Sequence, residues 1–157
     1  MPYDIDVQVD PALQLDVPVA DLRDMAANAL AELGQPGDAE MAIIVTTDDG
    51  IRELNRGFRG MDEPTDVLSF AAAEGPEFVL PEGLPPYLGD VIISLPTAQR
   101  QAAERGGTLR AELALLVAHG CLHLVGYDHA TPEQQRAMWA VQESILARLG
   151  LAPPRDL

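Results

Sequence analysis

The sequence has a single cysteine, Cys121, so no disulfide can form within the chain. That excludes the disulfide-stapled secreted class and suits a reducing compartment. Aromatic residues make up only 4% of the chain, which leaves Leu, Val, Ile and Ala to build the core. Basic residues are scarce as well: 10 Lys+Arg stand against 25 Asp+Glu, a formal net charge of −15. Such a charge opposes tight non-specific binding to nucleic acid or to an anionic membrane, so any nucleic-acid reading needs a local basic patch. No long apolar run is present; the strongest, Leu113 to Ala118, is far too short to span a bilayer. The start, Met1-Pro2-Tyr3-Asp4-Ile5-Asp6, lacks the basic-then-apolar pattern of a signal peptide. The expectation is a cytoplasmic protein, and 157 residues suit one domain, 1–157, with a real hydrophobic core.

What the chain does have is clear periodicity. Tyr3 to Val9 alternates as a half-buried strand, and Met41 to Thr46 is a β-branched run suited to a buried one. Between them, Val19, Leu22, Met25, Ala26, Ala29, Leu30 and Leu33 trace one helical face, with Gly34 as the stop. Thr47-Asp48-Asp49 predicts a capped, acidic start for a short helix through Arg56. Asp66 to Phe70 and Leu88 to Leu95 are two further strands, separated by a Gly-, Pro- and Glu-rich surface loop from Ala71 to Tyr87. Three helices close the chain: Pro96 to Arg105, Thr108 to about Leu124, and Thr131 to Leu149. The last opens on Thr131, Pro132 and Gln134, a capping box with proline at the first helical position. This order predicts an α+β fold, a small mixed sheet of about four strands packed against several helices.

All three histidines fall within the eleven residues from His119 to His129. His119 and His123 are four apart on a helix, about 40° apart around its axis, so both rings leave one face. Gly126 allows the chain to turn back and bring His129 to the same point. Two ligands from one helical turn and a third beyond a glycine corner suit a compact tetrahedral site for one transition metal, most simply zinc. The spacing His-x3-His-x2-Gly-x2-His equals that of metzincin proteases, but Gly120 stands where those enzymes carry a glutamate base. Cys121, about 200° around the helix from His119, should point away from the metal as a small buried residue. Asp128 is either a base, a partner that orients a ligand, or simply a turn residue. Arg52, Arg56 and Arg59 form one basic stripe if the helix persists; the first two are expected to pair with Asp48, Asp49 or Glu53, while Arg59 leaves the helix just before Gly60 and is freer to reach a site.

Four ordered pieces carry a family resemblance. They are Leu54-Asn55-Arg56-Gly57-Phe58-Arg59, Pro64-Thr65-Asp66-Val67-Leu68-Ser69-Phe70, Leu88-Gly89-Asp90-Val91-Ile92-Ile93-Ser94, and His119 through His129; Glu143 fits the family's ending less distinctively. Together they resemble the YbeY family of bacterial metal-dependent endoribonucleases of ribosomal RNA maturation. The resemblance implies one zinc ion on His119, His123 and His129, and Arg59 working in the substrate cleft. It implies single-stranded RNA, including ribosomal RNA, as substrate, with ribosomal subunits, ribosomal proteins or ribosome-associated GTPases as partners. Two other readings stay open: a non-enzymatic ribosome-assembly factor whose zinc takes Cys121 or Asp128 as fourth ligand, and a zincin-like metalloprotease that replaces the missing glutamate.

Overall fold

The computed structural model describes residues 3–72 and 85–151. Nine elements follow one another as β1 (Asp4–Val9), α1 (Val19–Glu32), β2 (Glu40–Thr46), α2 (Asp48–Arg59), β3 (Val67–Ala71), β4 (Tyr87–Ser94), α3 (Leu95–Arg105), α4 (Leu109–Leu124) and α5 (Pro132–Arg148). The strands form one mixed sheet in the order β1-β2-β4-β3. β1, β2 and β4 run parallel, and β3 joins β4 antiparallel with Leu68 opposite Ile92. The α+β expectation of about four strands with several helices therefore holds. Most of the expected Ala71–Tyr87 loop, residues 73–84, lies outside the described residues, as do Met1 and Pro2.

The sheet has two unequal faces. Its larger face carries Ile5, Met41, Ile43, Val45, Val91 and Ile93, which pack with α1, α4 and α5 into the main core. Its other face holds a small cluster of Leu68, Ile92 and Ile51 under α2, with Phe70 and Leu54 alongside. α4 is the central helix. It buries residues all round, from Leu113 through Leu124, as expected of a helix with the sheet on one side and helices on the other. Its axis is thereby fixed on every side, which matters because His119 and His123 ride on it.

Helix ends follow local chemistry. Thr47, Thr108 and Thr131 each accept a backbone N–H with the side-chain hydroxyl, and the Thr131–Gln134 capping box is complete. Most boundaries fall within about a residue of the expectation; the end of α2 differs more, running on to Arg59 instead of stopping at Arg56. Gly60, at φ 69°, closes it, with its own N–H on the Arg56 carbonyl and Met61 N–H on the Asn55 carbonyl.

Candidate metal centre

α4 ends just where the histidine cluster needs a corner. The N–H of Gly126 bonds the His123 carbonyl, and the N–H of Tyr127 bonds the Leu122 carbonyl. Gly126 has φ 101°, a conformation that side chains resist. The reversed chain returns His129 to the two helical histidines. Ring centroids lie 4.7 Å apart for His119–His123, 5.3 Å for His123–His129 and 5.8 Å for His119–His129. One nitrogen from each ring falls within 4.8 Å of the other two. The Nε2 atoms of His119 and His123 are 3.2 Å apart.

The donor set fits a cation. Nδ1 of His119 lies 3.3 Å from Oε1 of Gln142. An amide oxygen only accepts, so Nδ1 carries the proton and Nε2 presents its lone pair to the cluster. Burial lowers the His119 pKa, the neighbouring His123 adds to this, and the Gln142 hydrogen bond and Asp66 oppose it. A depressed pKa keeps the ring neutral, the form a metal requires. Gln142 is itself 2% exposed, a buried side chain whose amide oxygen lies against this ring. Glu143, which fits the family's ending only weakly, is exposed; its neighbour Gln142, which the sequence reading does not single out, is the one that meets the ring. A signal was present: Met138, Gln142 and Ile145 recur at helical spacing on the buried side of α5, so Gln142 is the polar residue in an apolar stripe.

The histidines form one wall of a cleft of about 740 Å³, which β3 and the end of α2 complete with Phe58, Arg59, Asp66 and Ser69. Arg59 lines this cleft, whereas Arg52 pairs with Asp62 at 2.8 Å and Arg56 with Glu53 at 2.9 Å. The stripe therefore divides as expected, except that Arg52 takes Asp62 instead of an acid on its own helix. Asp128 also lines the cleft, and its Oδ1 accepts the backbone N–H of His129 at 2.7 Å. Asn55, buried at 2% exposure, donates to the Glu63 carbonyl and ties the turn after α2 to the start of the cleft.

Gly120 is constrained by space. A β-carbon there would sit 2.6 and 2.8 Å from the two methyls of Val91 on β4. This position faces the sheet, so a glutamate base of the metzincin kind has no room to occupy it. Cys121 points into the core, its Sγ 3.8 Å from Sδ of Met41, and burial pushes its thiol up to about 12. It cannot supply the fourth ligand that the assembly-factor reading asked of it.

The four sequence pieces thus converge on one place: the end of α2, β3 and the histidine corner line the cleft, and β4 lies beneath Gly120. The family profile described as Endoribonuclease YbeY matches residues 11–150. The chain belongs to the YbeY family. Named members of that family are similar over most of their length. The Endoribonuclease YbeY of Desulforamulus reducens is 51% identical over 123 residues, 78% of this chain and 80% of the relative. That of Geobacillus kaustophilus is 47% identical over 130 residues, covering 81% and 83%. That of Moorella thermoacetica is 48% identical over 147 residues, covering 88% and 94%. The fold is also similar to the solution structure of the Thermotoga maritima protein TM1509, with a TM-score of 0.57 at 26% identity, covering 93% of this chain and 91% of that one. Among the described residues no helix is long and apolar enough to cross a membrane.

Proposed function

We propose that this chain is a zinc-dependent endoribonuclease of single-stranded RNA, acting in the cytoplasm on ribosomal RNA, with residues 1–157 as its one catalytic domain. The observation that carries the reading is the convergence of three imidazole nitrogens within 4.8 Å of one another in a cleft that Arg59 also lines. Family membership supplies the reaction class, since its named relatives are endoribonucleases.

His119, His123 and His129 would hold the ion. When bound there, zinc supplies Lewis acidity toward a phosphate oxygen, and three neutral ligands leave its charge undiminished. Gln142 fixes the tautomer of His119. Arg59 would hold the negative charge that grows on the phosphoryl group, by the two-pronged match of guanidinium to phosphate oxygens. Asp128 is the candidate proton acceptor. Its bond to the His129 amide also shapes the corner that carries the third ligand. Ribosomal subunits, through ribosomal proteins or associated GTPases, are the proposed partners that bring an acidic enzyme to an acidic substrate.

Metal content and RNA cleavage, measured together on untagged protein before and after chelation, test the proposal. One zinc per chain, with cleavage lost on chelation and restored by zinc, is expected. His123→Ala should lose both metal and activity. Arg59→Ala should keep its metal and lose roughly 100- to 1000-fold in kcat, the usual loss for one charge-stabilising donor. A metal-free His123→Ala protein that still cleaves RNA would overturn the reading.

A further inference from the structure

We propose that Phe58 is a stacking platform for one unpaired nucleobase of the RNA, set beside the metal centre. The proposal rests on the nuclease reading for its ligand and deepens it, because it assigns the selection of single strands to a side chain.

Phe58 continues the buried stripe of α2, following Ile51 and Asn55 at helical spacing, yet it is 71% exposed. It is the most exposed large apolar residue among the described ones, in a chain with only three phenylalanines. An aromatic ring left in water forgoes the favourable burial that Ile51 gains on the same stripe, so its position calls for a reason. The ring is also held in place. It meets Phe70 of β3 edge to face, with centroids 5.1 Å apart and planes at 62°. A ring so oriented and so exposed offers a face to a ligand at little entropic cost.

The surroundings name the ligand. Phe58 lines the same cleft as the three histidines, and its chain neighbour Arg59 lines it too. A cation site, a guanidinium and an open aromatic face lining one cleft suit the phosphates and a base of one strand of nucleic acid. Every base has a π-face, so this contact tolerates any sequence. It does not tolerate a duplex, in which each base is already stacked and paired and must first be extruded at a cost in free energy.

The test uses zinc-loaded full-length protein and a short single-stranded RNA, intact or with one abasic residue at successive positions near the cleaved bond. Cleavage is followed as kcat/KM, and binding separately by fluorescence anisotropy. Phe58→Ala and Phe58→Leu are expected to weaken binding by about 5- to 100-fold, the factor carried by one base–aromatic stack. Phe58→Tyr should retain binding. An abasic residue at one position should cost the wild type a similar factor and cost Phe58→Ala nothing. Zinc content should stay at one per chain in all variants. Equal binding by wild type and Phe58→Leu, or undiminished abasic discrimination in Phe58→Ala, overturns the platform. If wild type binds RNA in this base-dependent way but never cleaves it, the platform stands and the nuclease reading falls.

Discussion

Replacing Gly120 by alanine adds one methyl group, and the structure says where it would go. The new β-carbon would stand 2.6 and 2.8 Å from the Val91 methyls and 3.3 Å from Oγ of Ser69. Carbon atoms pack at about 3.5–4.0 Å, so the shortfall is close to 1 Å. Val91 is fully buried and cannot swing aside, so α4 must lift from the sheet. Overpacking of this kind costs about 1–3 kcal/mol. Alanine returns about 1 kcal/mol through its better helix propensity. A net loss of up to about 2 kcal/mol should lower Tm by up to roughly 8 °C in a chain of this size.

Stability is the lesser effect. His119 and His123 move with α4, while His129 hangs from the segment beyond Gly126, so lifting the helix spreads the ligand set. Metal–nitrogen distances tolerate only about 0.2 Å, and zinc affinity should fall about 10-fold or more. Competition with a chromogenic chelator measures the affinity, and thermal unfolding with and without zinc measures the stability. Val91→Ala removes both offending methyls, so Val91→Ala should restore zinc binding to the Gly120→Ala protein although each change alone weakens the fold. Gly120→Ala with wild-type Tm and zinc affinity would refute the argument that this glycine exists for close approach.

Two more predictions concern groups that touch the site or its supporting helix. Gln142→Leu removes the acceptor from Nδ1 of His119 and should weaken zinc binding by about 10- to 100-fold while α5 stays folded, as read by chelator competition and circular dichroism. Burial raises the pKa of the Glu112 carboxyl, the Arg105 charge opposes this and Asp66 adds to it. A carboxyl with a raised folded-state pKa holds its proton more tightly when folded, so its contribution to stability is present at low pH and lost as pH rises through the raised value. Glu112→Gln cannot ionise; denaturant titrations at several pH values should show its stability gaining on wild type from pH 4.5 upward, and a constant difference would contradict the assignment.

Much of this was legible in the sequence because it is local. Caps at Thr47 and Thr131 and the glycine after the histidine helix are set by chemistry within a turn of chain. The histidine triplet was legible for the same reason, since its geometry spans only eleven residues. What was not legible depends on contact between distant segments. Gln142 meets His119 across 23 residues, and only the packing of α5 on α4 reveals it. The role of Gly120 requires knowing that β4 lies beneath it. The run of α2 past Arg56 to Arg59 shows only in the αL geometry at Gly60, which closes the helix.

The net charge of −15 looks hostile to an RNA enzyme until the arginines are placed. Arg52, Arg56, Arg100, Arg105, Arg110 and Arg148 all pair with carboxylates. Their charge is largely spent within the protein's own surface. Among the described residues Arg59 forms no ion pair, and it lines the cleft beside the histidines. Arg23 and Arg136 form no ion pair among the described residues either, but neither lines the cleft, so the positive potential within the cleft comes from Arg59 and the cation held nearby, enough for one or two phosphates. For single strands the salt slope is about −0.7 per phosphate neutralised, so the free enzyme should bind RNA with a slope of only about −1. Its grip would then come mainly from the metal, from Arg59 and from the uncharged stack on Phe58. A slope steeper than about −3, measured by anisotropy at rising salt, would mean that a broader basic surface engages the RNA, and this assignment of affinity to a narrow cleft would fail.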